Sequence, residues 1–239
     1  MKRLALTFCA LLLFVSYSRG QSRELEKSFM IKPTDKIRLD LKIGNHISVK
    51  SWDKNQVSFK AVVEINNGKL NDAFKLKYEQ ENGWLRIASD YDKKLIPKGE
   101  PCDCSDPESQ HSWSSWNGKN GRYMMCSKIR YEIYVPENAD LNVESISSDI
   151  ELVNLAGPIR AKSISGFVDL SWPSDKSANI AMKTISGEAY TDLENITFDN
   201  KKRHIPIVGY ELRGNIGSGG PHISLESVSG NIYLRRVQS

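Results

Sequence analysis

From Leu141 onward the chain repeats one short alternation of apolar and polar positions: apolar, any, apolar, charged, Ser/Thr, Ile/Val, Ser, Gly/Ser, any, apolar, any, and usually Leu. Four copies can be written out: LNVESISSDIEL at 141–152, IRAKSISGFVDL at 159–170, IAMKTISGEAYT at 180–191 and ISLESVSGNIYL at 223–234. Their starts lie 18, 21 and 43 residues apart, and the last interval is close to two of the shorter ones. A degraded copy around Ile207, Gly209 and Leu212 would fill that gap. A unit of about 20 residues with period-two alternation cannot bury its apolar face alone, so the copies must stack.

The alternation shifts parity within each copy. Leu141, Val143 and Ser145 share one face, and after a bend Ile146, Ser148, Ile150 and Leu152 share the next. This predicts two short strands meeting at a corner, with both sets facing one interior. Gly166, Gly187 and Gly230 then fall on the inward parity, where a missing Cβ permits a bend or a close approach between copies. Stacking would align Ser147, Ser165, Ser186 and Ser229 in a column about 4.8 Å apart per copy, suited to a hydroxyl ladder. No histidine is held at matching spacing, so the column reads as structural rather than nucleophilic.

The N-terminal half is β-rich as well. Ile37, Leu39, Leu41 and Ile43 alternate, and GNHISV at 44–49 resembles a repeat core with one extra residue. Further strands are expected at 57–65, 74–78, 84–88 and 128–135, with turn signals at Asn66-Asn67-Gly68 and Asn82-Gly83, and room for a single helical turn over 68–74. Between Asp92 and Ser127 the periodicity stops, and Pro, Gly, Ser and Asn accumulate. This segment reads as a long inserted loop, a length that usually marks function or disorder. The expected fold is all-β: a β-solenoid-like stack of short strands carrying one long insert, with a β-rich part at 21–135, the insert at 92–127 and the repeat part at 136–239.

The first 20 residues change the reading of charge. Lys2 and Arg3, the apolar stretch 4–15 and the small or polar Ser16, Ser18 and Gly20 form the pattern of a secretory signal peptide, with an apolar core too short for a membrane span. Removing them with Lys2, Arg3 and Arg19 brings the formal charge from +4 to +1 and leaves 219 residues, a length that suits one elongated domain or two small ones, with no further apolar run of membrane length. No basic cluster interleaved with aromatics remains to suggest nucleic-acid binding. The expected location is therefore exported: periplasm, cell surface or medium.

The insert holds the candidate chemistry. Cys102, Cys104 and Cys126 are an odd set, and in an oxidising compartment one disulfide, Cys126 with either Cys102 or Cys104, would close the loop. The three thiols with His111 also make a Cys3His set that suits zinc chemically, but Cys-x-Cys is not the usual finger spacing, and no metal or cofactor is expected. His111, Trp113, Trp116 and Tyr123 offer flat rings for a sugar or a protein, or they hold the loop against the strands. Trp52, Trp84 and Trp172 lie beside strands and read as packing residues.

The motif GNHISVKSWDKNQV, a Val-Pro before the first repeat and the terminal GGPHISLESVSGNIYL together resemble the bacterial putative-adhesin family of exported β-solenoid domains. The resemblance spans roughly 28–239. It implies a right-handed parallel β-helix or β-roll and no catalytic residues, while the Gly missing at Ser148 and the Cys- and Trp-bearing insert depart from that pattern. The expected function is a non-catalytic envelope protein for adhesion or protein interaction, with an unknown envelope or surface protein or a glycan as partner. The alternatives are a carbohydrate-binding or polysaccharide-active β-helix protein and a periplasmic envelope-stress or regulatory component.

Overall fold

The computed structural model describes residues 22–96, 110–115, 122–199, 209 and 211–237, with 110–115 and 122–124 described through the backbone alone. The N-terminal part forms β1 (Arg23–Met30), β2 (Lys36–Leu41), β3 (His46–Trp52), β4 (Gln56–Ile65), a short 3-10 turn (Asn71–Ala73), β5 (Phe74–Glu81), β6 (Trp84–Tyr91), β7 (Gln110–Ser115) and β8 (Arg122–Pro136). The repeat part forms β9 (Asp140–Ser145), β10 (Asp149–Val153), β11 (Ile159–Ser163), β12 (Val168–Trp172), β13 (Ala178–Thr184), β14 (Ala189–Thr191), β15 (Ile196–Phe198), β16 (Glu211–Ile216), β17 (His222–Ser227) and β18 (Ile232–Arg236). These make two nine-stranded mixed sheets that share one apolar core. The first runs β1-β4-β8-β3-β10-β12-β18-β14 with β7 on β8, and the second runs β15-β16-β13-β17-β11-β9-β2-β6-β5. Both are open, and the chain is all-β.

Each repeat copy gives its first strand to the second sheet and its second strand to the first. Like positions pair in parallel register: Leu141 with Ile159 and Ile159 with Ile223, then Ile150 with Val168 and Val168 with Ile232. The N-terminal β2 and β3 join the same ladders as one more copy, with Ile37 opposite Leu141 and Ile47 opposite Ile150.

Sequence order and spatial order differ. The fourth copy lies between the second and third in both sheets, so β17 separates β11 from β13 and β18 separates β12 from β14. The described part of the gap before it does not pair as a further copy. Leu212 lies on β16, which runs antiparallel to β13 and pairs with β15, while Ile207 is outside the described residues.

The insert is likewise not one continuous loop. Its residues 122–127 extend β8, and 110–115 form β7 as an antiparallel partner, with Gln110 opposite Ser127 and Ser115 opposite Arg122. Its polar composition hides strands whose backbone bonds are supplied by the 15-residue β8. The Asn82-Gly83 turn behaves as its residues dictate. Both take left-handed φ, 52° and 76°, as the tight hairpin between β5 and β6 requires.

The corner of each copy is the part that sets the packing. Ser145 and Ser148 both face inward, while Ile146 turns out to solvent. The bend therefore lies at two consecutive outward residues, 146 and 147, and the expected inward Ile146 is corrected. The hydroxyl ladder consequently runs two residues before the expected serines. Ser163 Oγ donates to the Ser148 carbonyl at 2.8 Å and accepts from the Gly166 amide at 2.9 Å. Ser227 repeats both bonds with Gly166 and Gly230, and Thr184 does so with Gly230 and Gly187.

Ser165, Ser186 and Ser229 face out, and their backbone amides donate to the Ile146, Val228 and Ile164 carbonyls of the neighbouring copy. A Cβ on Gly166, Gly187 or Gly230 would run into the carbonyl of the copy beneath. Copy one carries Ser148 instead because its neighbour differs there. The extra residue around Gly44 (φ 150°) leaves room for a side chain, and Ser148 Oγ donates to the Gly44 carbonyl at 2.8 Å.

The wider end of the core is aromatic. Phe59 and Phe74 pack against Tyr131, whose hydroxyl donates to the Ile43 carbonyl at 2.6 Å. Tyr91 donates to Ser127 Oγ at 2.9 Å, and burial pushes its phenol up to about 12.

Two outcomes follow for stability. Ser163→Ala strips a buried amide and a buried carbonyl of their shared partner and should cost about 1–3 kcal/mol in urea unfolding. Gly166→Ala should cost about as much through overpacking against backbone, whereas Ser165→Ala should stay within about 0.5 kcal/mol. Equal losses at Ser163 and Ser165 would refute the ladder.

Because the folded Tyr91 holds its proton above the unfolded value of 10.0, the stability linked to it is complete below pH 10.0 and is lost as pH rises toward about 12. Tyr91→Phe should therefore lose less stability over that window than the parent chain. Parallel pH profiles for the two would count against a buried, protonated Tyr91.

Candidate interaction faces

The outward face of the first sheet collects the acids and aromatics of β3, β10, β12, β18 and β14. Parallel register puts Glu151, Asp169, Tyr233 and Tyr190 in one column, and Asp149, Phe167, Asn231 and Glu188 fall just before them in each copy. The carboxylates are engaged one by one. Asp149 Oδ1 accepts from the Phe167 amide at 3.1 Å, and Asn231 Oδ1 does the same for the Glu188 amide at 3.0 Å. Glu151 faces His46 at 3.4 Å.

Asp169 is nearly buried and held by Arg235, with Nε to Oδ1 at 2.9 Å. That hydrogen bond raises the Arg235 guanidinium further above its ordinary value. The Tyr190 hydroxyl donates to Glu188, which raises the Tyr190 phenol. Tyr190 stacks on Tyr233 with centroids 5.4 Å apart, and Phe167 meets Tyr233 edge-on at 6.0 Å. Arg235 is the member that sequence reasoning missed. Its signal was its place two residues after Tyr233, the next outward position along the strand and one copy away from Asp169.

The opposite face is a charge ladder. Lys162 Nζ meets Glu226 at 2.9 Å, and Arg38 spans Asp40 at 3.0 Å and Glu144 at 3.6 Å. Such half-exposed pairs are worth roughly 0–1 kcal/mol each, so they level the charge of the face more than they hold it together.

The corner between the faces is different in kind. Ile146, Ile164 and Ile185 stand 48%, 41% and 43% exposed, with half-buried Val228 between the last two, so that one aliphatic ridge crosses four copies. Ser147, Ser165, Ser229 and Ser186 follow it residue by residue.

The insert's residues are placed unevenly. Cys126 is buried on β8, and the backbone register sets His111 opposite Cys126, Trp113 opposite Met124 and Tyr123 opposite Ser114. Cys102, Cys104 and Trp116 lie outside the described residues. Among the described residues no group of three or more His, Cys, Asp or Glu is placed to hold a metal, and no helix is long and apolar enough to cross a membrane.

No described protein family matches the chain, and no curated protein does. Among solved structures the chain is similar to a putative cell adhesion protein from Clostridium sporogenes, at 10% identity and a TM-score of 0.49, covering 90% of this chain and 100% of that one. It is also similar to a putative adhesin from Bacteroides fragilis, at 10% identity and a TM-score of 0.25, covering 90% and 97%. A putative lipid binding protein from Parabacteroides distasonis matches at 14% identity and a TM-score of 0.25, covering 92% and 98%. At these identities and TM-scores none of them transfers a function, and the functional reading rests on the chain's own residues.

Proposed function

We propose that this chain is a non-catalytic exported envelope protein that presents a rigid, β-helix-like stack for adhesion or protein interaction, in the periplasm or at the cell surface. The observation that carries the reading is the aliphatic ridge of Ile146, Ile164, Val228 and Ile185, repeated with the copies and left exposed beside two flat faces whose acids are engaged in pairs. A row of equivalent apolar side chains on a backbone ladder is a pre-organised contact, since ordering it on binding costs little. The signal-peptide pattern supports export, and an oxidising compartment supports a disulfide between Cys126 and Cys102 or Cys104. The β7–β8 arm, which carries His111, Trp113 and Tyr123, is a second place for a partner to touch.

The test uses the chain from residue 21 to 239, immobilised and offered purified outer-envelope and host surface proteins. Saturable binding is expected, weakened about tenfold or more by Ile146→Asp with Ile164→Asp while the urea midpoint is kept. Undiminished binding by that variant overturns the role of the ridge, and turnover of a polysaccharide panel overturns the non-catalytic reading. Protease treatment of intact cells then distinguishes surface from periplasm.

A further inference from the structure

At the end of β3 away from the corner, three connections converge: 31–35 between β1 and β2, 53–55 between β3 and β4, and 137–139 between β8 and β9. They enclose a hollow of about 240 Å³ against Trp52. Alternation along β3 places Trp52 on the outward parity with His46, Ser48 and Lys50, so its ring belongs to the surface. It is nevertheless fixed. Nε1–H donates to the Gln56 carbonyl at 2.7 Å, and the ring stacks on Tyr134 with centroids 5.4 Å apart.

Trp172 shows the contrast. It makes the same bond four residues onward, to the Lys176 carbonyl at 3.0 Å, but it points inward and is fully buried. One Ser-Trp therefore fills the core, and the other is held rigid beside an open space.

The walls of the hollow are tied down through their backbone while their polar ends stay available. Ile31 N–H donates to the Asn55 carbonyl at 3.2 Å, Ala139 N–H donates to the Pro136 carbonyl at 3.1 Å, and Asp35 accepts from the Lys32 amide at 2.9 Å. The side chains of Asp53, Asn55 and Asn138 make no hydrogen bond among the described residues. Lys54 lies over the indole with Nζ 4.8 Å from the ring centroid, on an exposed, flexible stem that can swing aside.

We infer that this hollow binds one pyranose ring of a glycan, stacked on Trp52 and held at its hydroxyls by Asp53, Asn55 and Asn138. A sugar ring presents an apolar face and a rim of donors and acceptors, which is the complement of a fixed indole edged by amides and a carboxylate. The volume falls below the roughly 300 Å³ at which drug-sized ligands start, so it takes a single ring. An acyl chain is a poorer match, because Lys32, Asp53 and Glu137 line the same space. The site lies at the opposite end of β3 from the isoleucine ridge, so protein binding and sugar binding can fail independently.

The test is saturation-transfer NMR and calorimetry on residues 21–239 with the methyl glycosides of glucose, galactose, mannose, N-acetylglucosamine and glucuronic acid, alongside an array of polymeric and protein-linked glycans. At least one pyranoside or glycan should bind. Trp52→Ala should weaken that binding about tenfold or more, Trp52→Phe should keep part of it, and Asn138→Ala should weaken it severalfold with an unchanged urea midpoint. Asn138→Ala keeps the test informative if Trp52→Ala unfolds. Binding on the array alone supports the site and assigns it to a polymeric glycan. No binding to any sugar, or binding that survives both Trp52→Ala and Asn138→Ala, overturns it.

Discussion

The constraint on which the rest of the structure depends is the satisfaction of backbone polar groups at the corner. Where a strand bends, amides and carbonyls leave the sheet ladder inside a space lined by aliphatic side chains, and an unpaired group there costs about 1–3 kcal/mol. Ser163, Thr184 and Ser227 answer this with a single hydroxyl that accepts from the amide three residues on and donates to the carbonyl of the adjacent copy. Because the second bond lies in the neighbour, a copy is complete only when it is stacked. Register between copies is thereby tied to the corner as well as to the apolar faces. The glycines obey the same geometry, since the carbonyl that receives the hydroxyl occupies the place of their Cβ.

The same requirement accounts for the threading. The third copy presents Thr184 where the others carry serine, and its second strand, β14, is only three residues long. Its neighbour is the fourth copy, whose Gly230 carbonyl receives Thr184 and whose Asn231 caps the Glu188 amide. The C-terminal copy thus bonds on both sides, to the second copy through Ser227 and to the third through Gly230. It sits in the middle of the stack although it is made last. The third copy's place in both sheets therefore waits for the end of the chain.

Much of this was legible in the sequence, and the part that was not has a physical reason. Four copies, their two strands, the inward glycines and the extra copy around GNHISV follow from alternation and spacing, which record what one copy does with its own side chains. The spatial order of copies does not. Ile159, Ile180 and Ile223 hold like positions of their copies, so alternation alone does not tell β17 from β13 as the partner of β11, while β16 takes the other edge of β13. Ile146 was read inward because it shares the parity of Ser148, Ile150 and Leu152, whereas a two-residue corner at 146 and 147 leaves it no interior to face. The strand β7 was hidden because QHSWSS carries little apolar alternation, and its pairing is provided by β8. The Cys102 and Trp116 end of the insert lies beyond the described residues.

What the faces present to the outside follows from how they are made. In-register stacking repeats every outward side chain at a single strand spacing, so a column of one charge would repel itself along its whole length. The chain avoids this by alternating sign, as in Lys162 against Glu226, or by turning acids onto backbone amides, as at Asp149. Faces neutralised from within have few unspent groups for a ligand. Open chemistry is thus displaced to the places where stacking does not dictate the side chain. At the corner this leaves aliphatic residues with no sheet neighbour, and at the loop end it leaves amides and a carboxylate around a fixed indole. The regularity that makes the stack stable therefore leaves its least engaged side chains at the corner and in the loops at the opposite edge of the sheets.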